Sequence, residues 1–239
     1  MTVIFVAESF VSDLFNPNEW PAPTKDIVSS CASELTVLRH SAVRIGELCA
    51  NRQVLTDGYA RSLEQQWRVG QWDWTRATYF AQVPELHLTI EAFFSSLKAL
   101  LDLISQMYRS EDVVTPSLDG FHRQGAVYGG KVLNVLKRNT VKGREEVASA
   151  ISDVILAAKA EWIDDAIQAR DDLVHPPRGA GQLMFVLRLA ELEGRLEIVE
   201  VLPPSIAGTP IDEYAIRGVE RMTSFGRAVL DLLKPERAA

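Results

Sequence analysis

Between Pro84 and Tyr108 the apolar residues fall on a three-four spacing that a helix satisfies and a strand does not. Leu86, Ile90, Phe93, Phe94, Leu97, Leu100, Leu101, Ile104, Met107 and Tyr108 hold it for over 20 residues. The opposite face carries Glu91, Ser95, Lys98, Asp102 and Ser105. A stripe that wide has to be covered by other elements, so this segment is expected to be the central helix of a bundle.

The same period recurs elsewhere. From Lys25 to about Asn51, the residues Ile27, Val28, Cys31, Leu35, Leu38, Ala42, Ile45 and Cys49 mark a second helix, with Thr24 as its expected cap. Asp57-Gly58 is expected to break it. Arg144 to Val174 is expected to be one long helix, buried through Val147, Ile151, Val154, Ile155, Ala158, Trp162, Ala166 and Leu173. A final helix from about Pro210 to Leu233 turns Val219, Met222, Phe225, Val229, Leu232 and Leu233 inward. Before it, Leu183–Leu189 and Leu196–Val201 partly alternate around Glu193-Gly194, which predicts a β-hairpin. The predicted fold is mainly α, a helical bundle with a small β-hairpin inserted before the last helix. Residues 1–24, rich in Asn and Pro turn chemistry, read as an irregular lead-in, and 25–239 as a single domain.

Composition limits the classes. Hydrophobic residues make up 47% and charged residues 24%, ordinary for a soluble globular chain. No apolar run reaches the roughly 18–20 residues that cross a bilayer. Met1–Glu8 is apolar but has no basic leader or small-residue cleavage site. Cys31 and Cys49 lie 18 residues apart on one predicted helix. That separation is about 27 Å, too far for a disulfide. Free thiols without a signal peptide imply the cytoplasm.

The net charge of −7 argues against unspecific coating of nucleic acid. It hides a local excess. Gly120 to Arg144 holds Arg123, Lys131, Lys137, Arg138, Lys142 and Arg144 and no acid, a candidate surface for a phosphate backbone. Its Gly125-Ala-Val-Tyr-Gly-Gly130 stretch is flexible or tightly turned, and it lacks the ending of a P-loop. As a bland alternative, the segment is a solvated helix face plus a loop. Trp67, Trp72, Trp74 and Phe80 form an aromatic cluster suited to core or interface packing, or to stacking bases. Asp119 and His122 have the spacing of a metal pair, but no second pair accompanies them, so no metal and no cofactor is expected.

The stretch Ala166 to Pro177 should end the long helix, because Pro176 disfavours helical backbone at His175. Arg170 suits the negative end of the helix dipole. Asp171 and Asp172 do not, at a cost of a few tenths to roughly 1 kcal/mol each. A local rule broken without local compensation marks a candidate functional site. Arg170, four residues and then His175, with a polar residue directly after the arginine, resembles the Arg-X4–6-His motif of HEPN domains. The order of helices around it, from about Pro84 to Lys234, is similar to that family's layout.

That resemblance implies a helical bundle acting as a metal-independent endoribonuclease, in a toxin or anti-phage defence setting. It implies a homodimer with a composite active site, an RNA substrate, and an antitoxin or regulatory protein as a further partner. The chemistry fits the residue types. Cleavage needs a proton taken from the 2′-hydroxyl, a proton given to the leaving 5′-oxygen, and neutralised charge on the phosphoryl oxygens. His175 suits proton transfer, and Arg170 can donate two parallel bonds to phosphate. Asp171, where the family commonly has Asn, would orient one of them. Lys137, Arg138, Lys142, Arg144 and Arg178 are the candidate RNA-binding residues. On the residues alone, His175 also reads as a helix cap. The alternative function is a catalytically inactive module that binds RNA, a nucleotide or a protein partner.

Overall fold

The computed structural model describes residues 14–68, 83–174, 185–193 and 195–234. Six α-helices are described: α1 Ala22–Arg68, α2 Pro84–Ser110, α3 Gly130–Arg138, α4 Glu145–Ala158, α5 Asp164–Val174 and α6 Ile211–Leu233. The strands β1 Val186–Leu192 and β2 Arg195–Leu202 form an antiparallel pair, and β3 Ser205–Ile206 pairs with β4 Thr209–Pro210. The mainly helical fold with a hairpin before the last helix is therefore present. The chain forms two compact units. One comprises Met1–Arg39, Phe94–Arg170 and Val219–Ala239, the other His40–Phe93 and Asp171–Gly218.

All ten apolar positions that mark α2 are buried. Its C-terminus shows how local geometry sets up a later contact. Asp112 takes a left-handed φ of 50°, Val113 N–H donates to the Tyr108 carbonyl at 2.8 Å, and Asp112 N–H to Arg109 at 3.2 Å. This is the Schellman pattern, which satisfies carbonyls that the helix end would orphan. It fixes Glu111 at the cap.

Glu111 corrects the role expected for Thr24. The first long helix starts at Ala22, and the Pro21 carbonyl accepts from the Thr24 and Lys25 N–H groups. Thr24 lies inside the first turn, fully buried, and its hydroxyl donates to the Glu111 carboxylate. It closes a tertiary contact instead of capping. α1 also runs through Asp57-Gly58 to Arg68. A glycine in a helix costs only about 1 kcal/mol, too little to end one that is otherwise supported.

Around these contacts the first unit builds a core from Val28, Leu35 and Leu38 of α1, Leu97, Leu100 and Ile104 of α2, and Val229 and Leu233 of α6. Trp162 meets Phe225 edge-on, with ring centroids 6.3 Å apart. The end of the expected lead-in joins this core: Leu14, Phe15 and Trp20 are buried, and a Cβ on Gly226 would lie 3.3 Å from the Phe15 ring.

In the second unit, Ile45 of α1, Ile90 and Phe93 of α2, and Ile211 and Ala215 of α6 are buried. Gly218 is required there, since a Cβ would stand 2.8 Å from Phe93 Cζ. Arg44 bridges Glu47 at 2.8 Å and Glu85 at 2.6 Å. In the hairpin, Leu192 pairs with Arg195 across a two-residue turn, and Glu193 takes φ 52°. A positive φ matches a primed turn to the twist of its strands. The second hairpin turns the same way at Ala207 and Gly208, with φ 48° and 79°.

The expected long helix from Arg144 to Val174 is interrupted. Lys159–Ile163 forms a π turn between α4 and α5. Such a turn holds one more residue than an α turn, so it rotates everything after it. Before it the buried positions are Ala148, Ile151, Ile155 and Ala158. From within it onward they come as neighbours, Trp162 with Ile163 inside the turn and Ala166 with Ile167 beyond it. Val147, Val154 and Leu173, expected inward, are only half-buried.

Candidate functional site

The side chain that organises the neighbourhood of α5 is Tyr128. It lies in the glycine-containing stretch, which is a tight turn and not a flexible loop: Gln124 and Val127 bridge each other, and Gly125 and Gly129 take φ 62° and 64°. Tyr128 is 8% exposed. Its hydroxyl donates to Gln168 Oε1 at 2.9 Å. The Arg123 guanidinium stacks 3.9 Å from its ring centre, a cation–π contact. From below, Lys159 Nζ donates to the Tyr128 carbonyl at 2.6 Å and pairs with Asp164. The Lys159 side chain is only 8% exposed, so the π turn aims a desolvated cation at this loop. π turns recur at functional sites.

Gln168 stands on α5 two residues before Arg170. The acid-free segment is therefore tied directly to the helix that carries the motif arginine. Arg170 and Asp171 are half-buried and Asp172 is exposed. All three are engaged by neighbours. His175 and Arg178 lie outside the described residues, as do Trp72, Trp74 and Phe80 and the side chain of Trp67.

The other expected RNA-binding residues divide. Lys137, Arg138 and Lys142 are exposed. Lys137 and Arg138 line a groove of about 610 Å³ between α3 and α4. Arg144 is half-buried at the start of α4, where its Nη2 donates to the Glu111 carbonyl at 3.3 Å. It braces the fold at that cap. Burial raises the Glu111 carboxyl above its usual value, while the Thr24 hydroxyl and the Arg144 charge work against the rise.

Asp119 and His122 lie 3.8 Å apart. Lys131 approaches Asp119 at 2.6 Å, and its donated bond holds that carboxyl below the usual range. Asp102 accepts from Phe121 N–H at 2.6 Å and from Lys98, so it holds the loop. Among the described residues, no three His, Cys, Asp or Glu side chains are grouped to hold a metal. No described helix is long and apolar enough to cross a membrane.

Tyr128, Gln168 and Lys159 were not among the candidates from sequence. The only local signal was a tyrosine between glycines in a basic stretch. The partners lie 40 and 31 residues away. No family model, curated protein or solved structure matches the chain.

Proposed function

We propose that the protein is a HEPN-like, metal-independent endoribonuclease that acts as a homodimer on RNA. The observation that supports this reading most is the Tyr128–Gln168 bond, which sets a cationic, acid-free segment beside the helix bearing Arg170. The roles follow the chemistry of the side chains. His175 takes the 2′-hydroxyl proton as the 2′-oxygen attacks phosphorus. Arg170 donates to the phosphoryl oxygens as charge builds there. The P–O5′ bond breaks to leave a 2′,3′-cyclic phosphate, and the 5′-oxygen takes a proton from the second copy's His175. Asp171 orients the arginine or the histidine. Lys137, Arg138 and Lys142, all exposed, guide the RNA backbone, and Arg178 extends that set. The reading places the protein in the cytoplasm, in a toxin or defence role, under an antitoxin or regulatory partner.

An oligoribonucleotide with a single 2′-deoxy nucleotide at the cleaved position tests the mechanism. It should resist cleavage there and nowhere else. Cleavage at the deoxy position would refute 2′-hydroxyl attack.

A second reading is a catalytically silent module of the same type that binds RNA. Asp171 in place of the commoner Asn and the inward engagement of Arg144 favour it. Salt-sensitive RNA binding without cleavage would select it.

A further inference from the structure

The cations of the acid-free segment differ in how they are held. Lys131 pairs with Asp119, and Arg144 donates to the Glu111 carbonyl. Lys137, Arg138 and Lys142 extend into solvent. Arg123 does neither. It is exposed, yet its guanidinium carbon stands 3.9 Å over the centre of the Tyr128 ring. It meets no carboxylate or hydrogen-bond acceptor among the described residues.

The ring beneath it is fixed. Tyr128 is 8% exposed, its hydroxyl is bonded to Gln168 at 2.9 Å and its carbonyl to Lys159 at 2.6 Å. An exposed arginine ordinarily spreads over many rotamers. Here a buried ring holds its planar group in one place before any ligand arrives, which lowers the entropy lost on binding. The same turn carries Val127, 48% exposed, and the exposed side chain of Gln124. Their backbones bond to each other at 3.0 and 3.2 Å, so both are fixed relative to Tyr128.

We infer that Arg123 is a stacking platform for a nucleobase of single-stranded RNA, backed by Tyr128, with Val127 as an apolar flank and Gln124 supplying an amide for the base edge. Only RNA as the ligand is taken from the proposed function, and both readings there share it. The shape of the cation selects a base. A guanidinium donates to phosphate through its edges and offers its faces to flat partners. One face of Arg123 is taken by the ring, and the other is open to a base. A phosphate or an acidic peptide needs no ring behind the cation, and the three exposed cations further along already offer that charge. Their placement suits a strand. α3 begins just after Tyr128 and ends at Lys137 and Arg138, nine residues that span about 12 Å. RNA lying along α3 can stack one base on Arg123 while its backbone meets that pair. The Tyr128–Gln168 bond keeps the platform against α5, the helix of Arg170.

The test uses the full chain and a fluorescently labelled single-stranded RNA with 2′-fluoro nucleotides throughout, which has no 2′-hydroxyl to attack with. Anisotropy titrations compare the wild type with Arg123→Lys, which keeps the charge and loses the plane. Each base is then replaced in turn by an abasic nucleotide. Arg123→Lys should weaken binding ~10-fold, and an abasic nucleotide at one or two positions should weaken the wild type similarly but the variant little further. Tyr128→Phe keeps the ring and should bind within about 2-fold of the wild type. Circular dichroism and melting temperature confirm that each variant is folded. Wild-type affinity in Arg123→Lys would make the arginine a phosphate contact and overturn the inference. A wild type indifferent to every abasic position, or one that binds no RNA, would overturn it too. So would displacement of the RNA by an aspartate-rich peptide from the wild type and not from Arg123→Lys, which would assign the arginine to a protein partner. Cleavage of unmodified RNA is scored separately. A protein that stacks bases and cuts nothing loses the nuclease reading and keeps the platform; a nuclease that binds as well with Lys at 123 does the reverse.

Discussion

Replacing Gly129 with alanine probes the turn that presents Tyr128. Gly125 and Gly129 take nearly the same left-handed φ, 62° and 64°, so alanine at either carries the same backbone penalty of about 1–2 kcal/mol. Their surroundings differ. A Cβ at Gly125 meets nothing within 4 Å, whereas one at Gly129 would sit 2.2 Å from Phe121 Cζ. Phe121 is 2% exposed and cannot swing into water. Forcing atoms into a packed site adds about 1–3 kcal/mol. Gly125→Ala should therefore cost about 1–2 kcal/mol, and Gly129→Ala about 2–5 kcal/mol. Urea unfolding measures both, with the midpoint falling and the slope unchanged. In melting temperature, the gap between the variants should be several degrees for a chain of this size. Equal losses at the two positions would refute the packing of Phe121 under the turn.

Three further outcomes follow from the same geometry. Tyr128→Phe should cost about 0.5–1.5 kcal/mol, the worth of one hydrogen bond whose acceptor regains water, as seen by the same unfolding assay. Burial pushes the Cys31 and Cys49 thiols up to about 12, so neither should react with a disulfide reagent at pH 8 until the chain is unfolded. Rapid reaction of one thiol in the native protein would contradict its burial. Glu111 titrates above its ordinary value in the folded chain, so folding binds its proton more tightly. That contribution is present below the ordinary carboxyl value of about 4.3 and is lost as pH rises through the folded value. Glu111→Gln should flatten the fall in stability over that range, and an unchanged slope would count against it.

The parts of the fold written in local periodicity were legible. All ten positions on α2 are buried, and the hairpin falls where alternation and Glu193-Gly194 placed it. What escaped depended on distance along the chain. Thr24 has the chemistry of a cap, yet its partner Glu111 is 87 residues away. The π turn is invisible to a period count, because the spacing is regular on each side and only the phase shifts. Within the candidate site, Arg170 could be singled out from its own segment. Its setting could not, since the Tyr128–Gln168 bond and the buried Lys159 join elements that no local pattern connects. His175 lies outside the described residues, and the roles proposed for it and for Asp171 rest on the motif alone.

Cleavage of total RNA by the purified protein in EDTA, beside Arg170→Ala and His175→Ala, tests the central claim most directly. The account predicts that the wild type cleaves and that both variants, folded and dimeric, do not. Cleavage by His175→Ala at the wild-type rate, or no cleavage by any of the three, would contradict it.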